Sequence, residues 1–161
     1  NQNINFILVN NNKKVLPTLL SRCINYKINL SNNECMEITE LLLGEKVENL
    51  INKDLINYYS TPGYIYNLIK FSKQYEYNLV DLDLKNFLKK LIKDKHLKKD
   101  QNMKNMIFNL IEFYFRKLNL SFSEKVNEKY SYFLKRVFDT RTFNLDEESL
   151  FAELEEEILN G

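Results

Sequence analysis

Apolar residues recur at helical spacing along most of this chain. From residue 31 onward they fall three or four positions apart, which is typical of helices with one buried face. Ser31 or Asn32 can cap the first of these helices with Glu34 completing a capping box, and Gly44 ends it. The pattern predicts further helices at residues 47–59, 62–75, 82–95, 101–118, 123–138 and 146–159.

The first thirty residues follow a different pattern. Residues 6–9 are apolar without interruption, which predicts a strand buried on both faces of a sheet. Pro17 fits the first turn of a short helix at residues 15–22, and alternating apolar positions at 24–28 predict a second, half-covered strand. One or two strands cannot form a covered sheet, so we expect the chain to be a fragment of a larger protein.

These elements predict a mainly α fold in three parts. Residues 1–30 would be the end of an α/β core. Residues 31–75 would form a small unit of three helices. Its clearest turn signal is the sequence Ser60, Thr61, Pro62 and Gly63. Residues 76–161 would form an antiparallel helical bundle.

Composition narrows the possible functions without identifying one. The 161 residues are 44% apolar and carry a net charge of +1, so no overall charge favours a nucleic-acid or membrane partner. Neither a membrane-spanning run nor a signal peptide is evident, which predicts a cytoplasmic location. Cys23, Cys35 and the single His96 are too few for a structural zinc site. We therefore expect no metal, two buried reduced thiols and a solvated His96.

Two charged runs are possible sites. The lysines between Lys85 and Lys99 allow a nucleic-acid interpretation, but Asp94, Asp100 and the helical period favour a solvated helix face. The run Glu155, Glu156 and Glu157 is better explained by the surface of the last helix. No phosphate loop, metal pair or activated nucleophile is present, so the chemistry alone predicts no enzyme.

One pair of motifs is more specific. Residues 6–10 read Phe-Ile-Leu-Val-Asn, and residues 16–23 read Leu-Pro-Thr-Leu-Leu-Ser-Arg-Cys. Together they resemble the clamp-loader branch of the AAA+ ATPases, in which a core strand ends at the nucleotide and the next helix carries Ser-Arg-Cys. The resemblance implies that Arg22, between Ser21 and Cys23, is an arginine finger acting in trans on ATP held by a neighbouring subunit. It also places Asn10 at the sensor-1 position, although a turn asparagine explains Asn10 equally well.

A second motif bears on whether this chain uses ATP itself. Ser60-Thr61-Pro62-Gly63-Tyr64 is similar to the family's lid motif, in which an arginine, the sensor-2 residue, follows Pro-Gly. Here the position is Tyr64, whose neutral ring cannot replace a guanidinium. The resemblance therefore implies an AAA+ core remnant, a lid and a helical collar in a subunit that hydrolyses no ATP. It implies no cofactor in this chain, with ATP bound by partner subunits.

The same resemblance implies partners. They are the other clamp-loader subunits, the sliding clamp and, through the assembled complex, primer-template DNA, with no membrane. The bundle has too many aromatic residues for a small core to bury with ease, so we expect an exposed oligomerisation face drawn from Phe113, Phe115, Phe122, Tyr130, Phe133 and Phe138. Two alternatives stay open, namely an ATP-hydrolysing subunit of the same family and a helical adaptor unrelated to ATP.

Overall fold

All regular secondary structure is helical in the part of the chain that the computed structural model describes, namely residues 6–10, 14–57, 60–96, 100–118 and 124–160. The α-helices are α1 (Pro17–Leu20), α2 (Asn32–Leu43), α3 (Pro62–Gln74), α4 (Leu84–Lys93), α5 (Gln101–Leu118), α6 (Glu124–Thr142) and α7 (Glu147–Leu154). A π-helical turn, Glu155–Leu159, continues α7. The chain divides into two compact units, residues 1–30 and residues 31–161.

The strands predicted at residues 6–9 and 24–28 are not formed. Both stretches lack regular secondary structure and are exposed, with Phe6 at 85% and Ile24 at 82% of full accessibility. A strand needs a neighbour to satisfy its N–H and C=O groups. The described residues contain no strand that could pair with either stretch, so the expected remnant of an α/β sheet is absent from them.

The local signals around α2 are confirmed. The Ser31 hydroxyl accepts a hydrogen bond from the Glu34 N–H at 3.3 Å, and the Glu34 carboxylate accepts one from the Ser31 N–H at 2.7 Å. This is the predicted capping box. Gly44 ends the helix in the left-handed conformation, with φ of 70°.

The prediction of a helix at residues 47–59 is wrong for residues 47–57, which are the part of this range that the structure describes. Two 3₁₀ turns, Val47–Asn49 and Lys53–Leu55, replace it. Asn52 separates them, because its N–H donates to Leu79 O at 2.9 Å and its side-chain amide donates to Val80 O at 3.2 Å. Tertiary contacts thus outweigh the helical period, although Val47, Ile51 and Leu55 are still buried.

The later helices agree with the sequence pattern apart from their ends. The predicted helix at 101–118 is confirmed as α5, and those at 62–75, 82–95 and 123–138 correspond to α3, α4 and α6. The predicted helix at 146–159 begins after Asp146, whose carboxylate accepts from the Ser149 N–H, and changes to π geometry at Glu155.

Residues 31–161 share one hydrophobic core. Helix α2 packs against α3, α4 packs against α5 and the π turn, and α6 packs against α5 and α7. The fully buried side chains of this core come from both the predicted lid and the predicted collar. The largest of them are Phe87, Phe115, Ile51, Leu55, Ile65, Leu68, Ile69, Leu79, Leu84, Leu88, Leu91 and Met103. The division at residue 75 stays a prediction.

Most aromatic residues expected on an exposed collar face lie in this core instead. Phe115 and Phe133 are buried with ring centroids 5.9 Å apart, and Phe113 and Tyr130 pack half-buried against the core. Phe138 is exposed as expected, and Phe122 lies outside the described residues. The core therefore accommodates more aromatic volume than the sequence suggested.

Candidate functional site

The short helix α1 and the turn after it form the candidate site. Pro17 occupies the first helical position, where its missing N–H costs nothing. The N–H groups of Leu19 and Leu20 donate to Leu16 O at 2.9 and 3.1 Å, which closes the helical turn. The helix predicted at residues 15–22 is thus confirmed in a shorter form.

The Ser-Arg-Cys segment is a compact turn at the end of α1. The Ser21 hydroxyl donates to Thr18 O at 3.2 Å, and the Arg22 N–H donates to Leu19 O at 3.0 Å. These bonds hold the backbone of Arg22 against the last turn of the helix, so the direction in which the side chain leaves the backbone is set locally.

The Arg22 side chain is exposed, and none of the ion pairs within the described residues involves it. The other described arginines differ, since Arg116 pairs with Glu112 at 2.6 Å and Arg136 pairs with Glu153 at 3.0 Å. The five donors of the Arg22 guanidinium are therefore available for an anion supplied from outside the described part of the chain.

Apolar side chains around this turn are also exposed. Within the described residues of the first unit only Val15 is even partly buried. The exposed large apolar residues there are Phe6, Ile7, Leu8, Val9, Leu16, Leu19, Leu20, Ile24, Tyr26, Ile28 and Leu30. So much exposed apolar surface around a cationic side chain is typical of a surface that another polypeptide covers.

The neighbouring motif residues are exposed as well. Asn10 is an exposed residue at the end of the segment 6–10. Cys23 is an exposed free thiol, which corrects the expectation of two buried cysteines, and only Cys35 is buried. A thiol at the chain surface next to Arg22 cannot serve as a core residue of this unit.

Tyr64 lies in the second unit, at the third position of α3. Its N–H donates to the Thr61 hydroxyl at 3.2 Å, which caps the helix, and its ring packs half-buried against the core. A tyrosine phenol is already neutral at physiological pH, and burial raises the pKa of Tyr64 further above its usual value. Tyr64 is therefore a packing residue that carries no charge for a phosphate.

His96 is not the solvated helix-end residue that its sequence neighbours suggested. It is half-buried, and its ring centroid lies 4.1 Å from that of Tyr75, 5.6 Å from that of Phe71 and 5.5 Å from that of Tyr77. The Tyr77 hydroxyl donates to the Asp94 carboxylate at 2.6 Å. Because these residues are about twenty positions apart, helical periodicity gave no signal of this cluster.

The described residues offer no conventional small-molecule or metal site. No group of three His, Cys, Asp or Glu side chains among them is placed to hold a metal ion. Two surface pockets in residues 31–161 have volumes of about 130 and 160 Å³. Both fall below the roughly 300 Å³ at which ligand pockets usually begin, and neither is lined by Arg22 or Tyr64.

Comparison with known proteins adds no relative. No protein-family model, curated protein or solved structure matches this chain. Among the helices of the described residues, none has both the length and the apolar character needed to cross a membrane. The exposed residues of the Ser21, Arg22 and Cys23 motif are therefore the features of the chain that point to a function.

Proposed function

We propose that this chain is part of a subunit of the delta-prime kind from the clamp loader of bacterial DNA polymerase III. Its role would be to supply Arg22 in trans to a neighbouring ATPase subunit while hydrolysing no ATP itself. The observation that carries the proposal is the exposed Arg22, which follows α1 within a Leu-Pro-Thr-Leu-Leu-Ser-Arg-Cys motif and has no counter-ion among the described residues.

The chemistry suits an arginine finger. A guanidinium presents a planar fork of N–H donors that matches two phosphate oxygens at once, and it stays charged at any physiological pH. Placed on a transferred phosphoryl group, it stabilises the negative charge that develops on the equatorial oxygens. Such fingers contribute roughly a thousandfold or more to the rate of hydrolysis.

The surface around Arg22 supports an action in trans. An arginine that serves a neighbour must lie in an interface, and the exposed apolar residues of segments 6–9 and 16–20 provide surface for one. Ser21 and Cys23 would position the turn. Asn10 would be a sensor-1 residue near the phosphates, an assignment that rests on the motif alone.

Tyr64 supports the absence of hydrolysis by this chain. It occupies the place of the sensor-2 arginine, and its phenol is neutral and packed against the core. The partners under this proposal are the gamma or tau and delta subunits, the sliding clamp and, through the complex, primer-template DNA. The chain would thus assist DNA replication by a holoenzyme whose polymerase subunit performs nucleotidyl transfer.

The test is ATP hydrolysis by a reconstituted clamp loader. With Arg22→Ala we expect normal assembly and a loss of about a thousandfold in clamp- and DNA-stimulated hydrolysis at the adjacent site. Arg22→Lys should recover little of this rate, because an ammonium group lacks the planar fork. Turnover by the Arg22→Ala complex equal to that of the unaltered complex would refute the proposal.

Arg116→Ala is the matched control. Arg116 is an exposed arginine on α5 that is already paired with Glu112. Its removal should leave hydrolysis unchanged, so a loss with both variants would point to a general loss of folding or assembly.

A further inference from the structure

Helix α4 has a face made almost entirely of lysine. Leu84, Phe87, Leu88 and Leu91 are buried, whereas the opposite side carries Lys85, Asn86, Lys89, Lys90 and Lys93. The helix contains no acidic residue. The four lysines, called the α4 lysine face below, therefore form a strip of like charge along one side of a single rigid element.

The α4 lysine face is not neutralised within the described residues. Their ion pairs use Lys53, Lys95, Lys104, Lys117, Arg116 and Arg136 as the cations. The carboxylates at the two ends of α4 accept other bonds, since Asp83 caps the Asn86 N–H at 2.7 Å and Asp94 accepts from the Tyr77 hydroxyl. Of these four lysines, Lys90 alone has an aromatic contact with a described residue, with its Nζ 4.4 Å from the centre of the Tyr77 ring.

The net charge of +1 conceals a separation of charge. Helices α3 and α4 contain six lysines and no acidic residue, whereas residues 147–159 contain six glutamates and no cation. The π turn packs against α4, yet no ion pair within the described residues joins its glutamates to the α4 lysines. Three other glutamates of this stretch, Glu147, Glu148 and Glu153, pair with cations outside α4.

We propose that the α4 lysine face binds the phosphate backbone of duplex nucleic acid without regard to sequence. Lysine ammonium groups bind phosphates as point charges and release condensed counter-ions. Lys85 and Lys93 are eight residues apart, about 12 Å along the helix axis, which spans about three nucleotides of one strand. This contact is separate from the action of Arg22.

The composition of the face selects a duplex over other polyanions. Single-stranded nucleic acid is held through exposed aromatic side chains that stack on the bases, and the outer side of α4 has none, since Tyr77 is buried. Amphipathic helices that lie on a membrane insert apolar side chains beside their lysines, whereas the apolar side chains Leu84, Phe87, Leu88 and Leu91 of α4 are buried in the core.

The test is the salt dependence of binding to a mixed-sequence DNA duplex, measured by fluorescence anisotropy with the full chain. In Lys85→Gln/Lys89→Gln/Lys93→Gln we expect at least about tenfold weaker binding at about 50 mM salt and a slope of log K against log salt reduced by about 3. The matching arginine variant should retain both. Lys90 is left unchanged because of its contact with Tyr77.

The control removes three exposed lysines elsewhere, in Lys46→Gln/Lys125→Gln/Lys135→Gln. It changes the net charge equally and should keep the slope close to that of the unaltered chain. Equal slopes for the two glutamine variants would overturn the proposal. Tighter binding to single strands, or equal competition by poly-glutamate, would also overturn it, and circular dichroism would show that the variants are folded.

Discussion

At the scale of single residues, two glycines place opposite demands on the backbone. Gly44 has φ of 70°, and a Cβ there would meet no atom within 4 Å, so only backbone strain opposes a side chain. Gly63 lies in the first turn of α3, and a Cβ there also meets open space. The two positions therefore isolate conformational strain from packing.

We expect Gly44→Ala and Gly63→Ala to change stability in opposite directions. Gly44→Ala should lower the free energy of unfolding by about 1 kcal/mol, since alanine is strained in the left-handed region. Gly63→Ala should raise it by up to about 1 kcal/mol through helix propensity and a less flexible unfolded chain. Urea unfolding measures both, and a loss of stability in both variants would contradict this account.

The two cysteines should differ in reactivity. Cys35 is buried, its thiol donates to Ser60 O at 3.0 Å, and burial raises the pKa of that thiol. Cys23 is exposed. Because the thiolate is the reactive form, a thiol reagent should label the native chain once and rapidly, at Cys23.

Labelling of Cys35 should appear only on unfolding. Cys23→Ser should abolish the rapid phase and leave the slow one. Two rapid equivalents in the native chain would contradict the burial of Cys35.

At the scale of elements, Asp54 joins three segments. From the second 3₁₀ turn its carboxylate accepts from the Leu84 N–H at 2.9 Å, at the start of α4, and pairs with Lys117 near the end of α5. Burial raises the pKa of Asp54, but the Lys117 hydrogen bond and charge and the Leu84 N–H outweigh it, so the pKa lies below its usual value.

This depressed pKa has a defined effect on stability. The contribution is present above the unfolded pKa of about 3.9 and is lost as the pH falls through the lower folded value. Asp54→Ala should lower the free energy of unfolding at neutral pH by roughly 1 to 2 kcal/mol, since it leaves the Leu84 N–H unpaired. Asp54→Asn should cost less and should flatten the decline below about pH 4.

The exposed pair Lys53 and Glu48 provides the control for this prediction. Solvent screens that pair, so Glu48→Gln should leave stability nearly unchanged. A loss with Glu48→Gln as large as that with Asp54→Ala would show that surface charge, and not this junction, sets the effect.

At the scale of the whole molecule, stability should reside in residues 31–161. That unit contains the hydrophobic core, whereas the described residues of the first unit are exposed apart from Val15. A chain reduced to residues 31–161 should therefore unfold within about 4 °C of the full chain in a thermal scan, since it loses little buried surface.

The removed segment should account for much of the exposed apolar surface, although side chains such as Leu41 and Phe143 of the second unit are exposed as well. A dye that binds such surface should bind the full chain more strongly than the shortened one. A broad, non-cooperative transition in the shortened chain would show that residues 1–30 contribute to the core.

Much of the fold can be predicted from local features of the sequence. Ser31, Thr61, Asp83 and Asp146 each cap a helix through a side chain only three residues from its partner N–H. Such signals act within one turn, so they predict where a helix begins whatever lies beyond it. The short helix of the candidate site was predicted at residues 15–22, but it ends at Leu20, and residues 21–23 form a turn that the sequence pattern did not predict.

Other features depend on contacts between distant residues. Asn52 interrupts a helical pattern by bonding to the chain at residues 79–80, and His96 lies among aromatic residues about twenty positions away. The burial of Phe115 and Phe133 and the exposure of Cys23 were likewise not predictable from spacing. Periodicity shows that apolar residues lie on one face of a helix, but it does not show which neighbouring element covers that face.

The sequence by itself determined the helical character of residues 31–161, most helix limits and the motif that contains Arg22, because caps and periodicity act over one or two turns. Only the tertiary structure decided which aromatic side chains are buried, how Asp54 connects its three segments and that Arg22 has no counter-ion among the described residues. The predicted strands mark this division, since a strand forms only where a neighbouring strand accepts its hydrogen bonds.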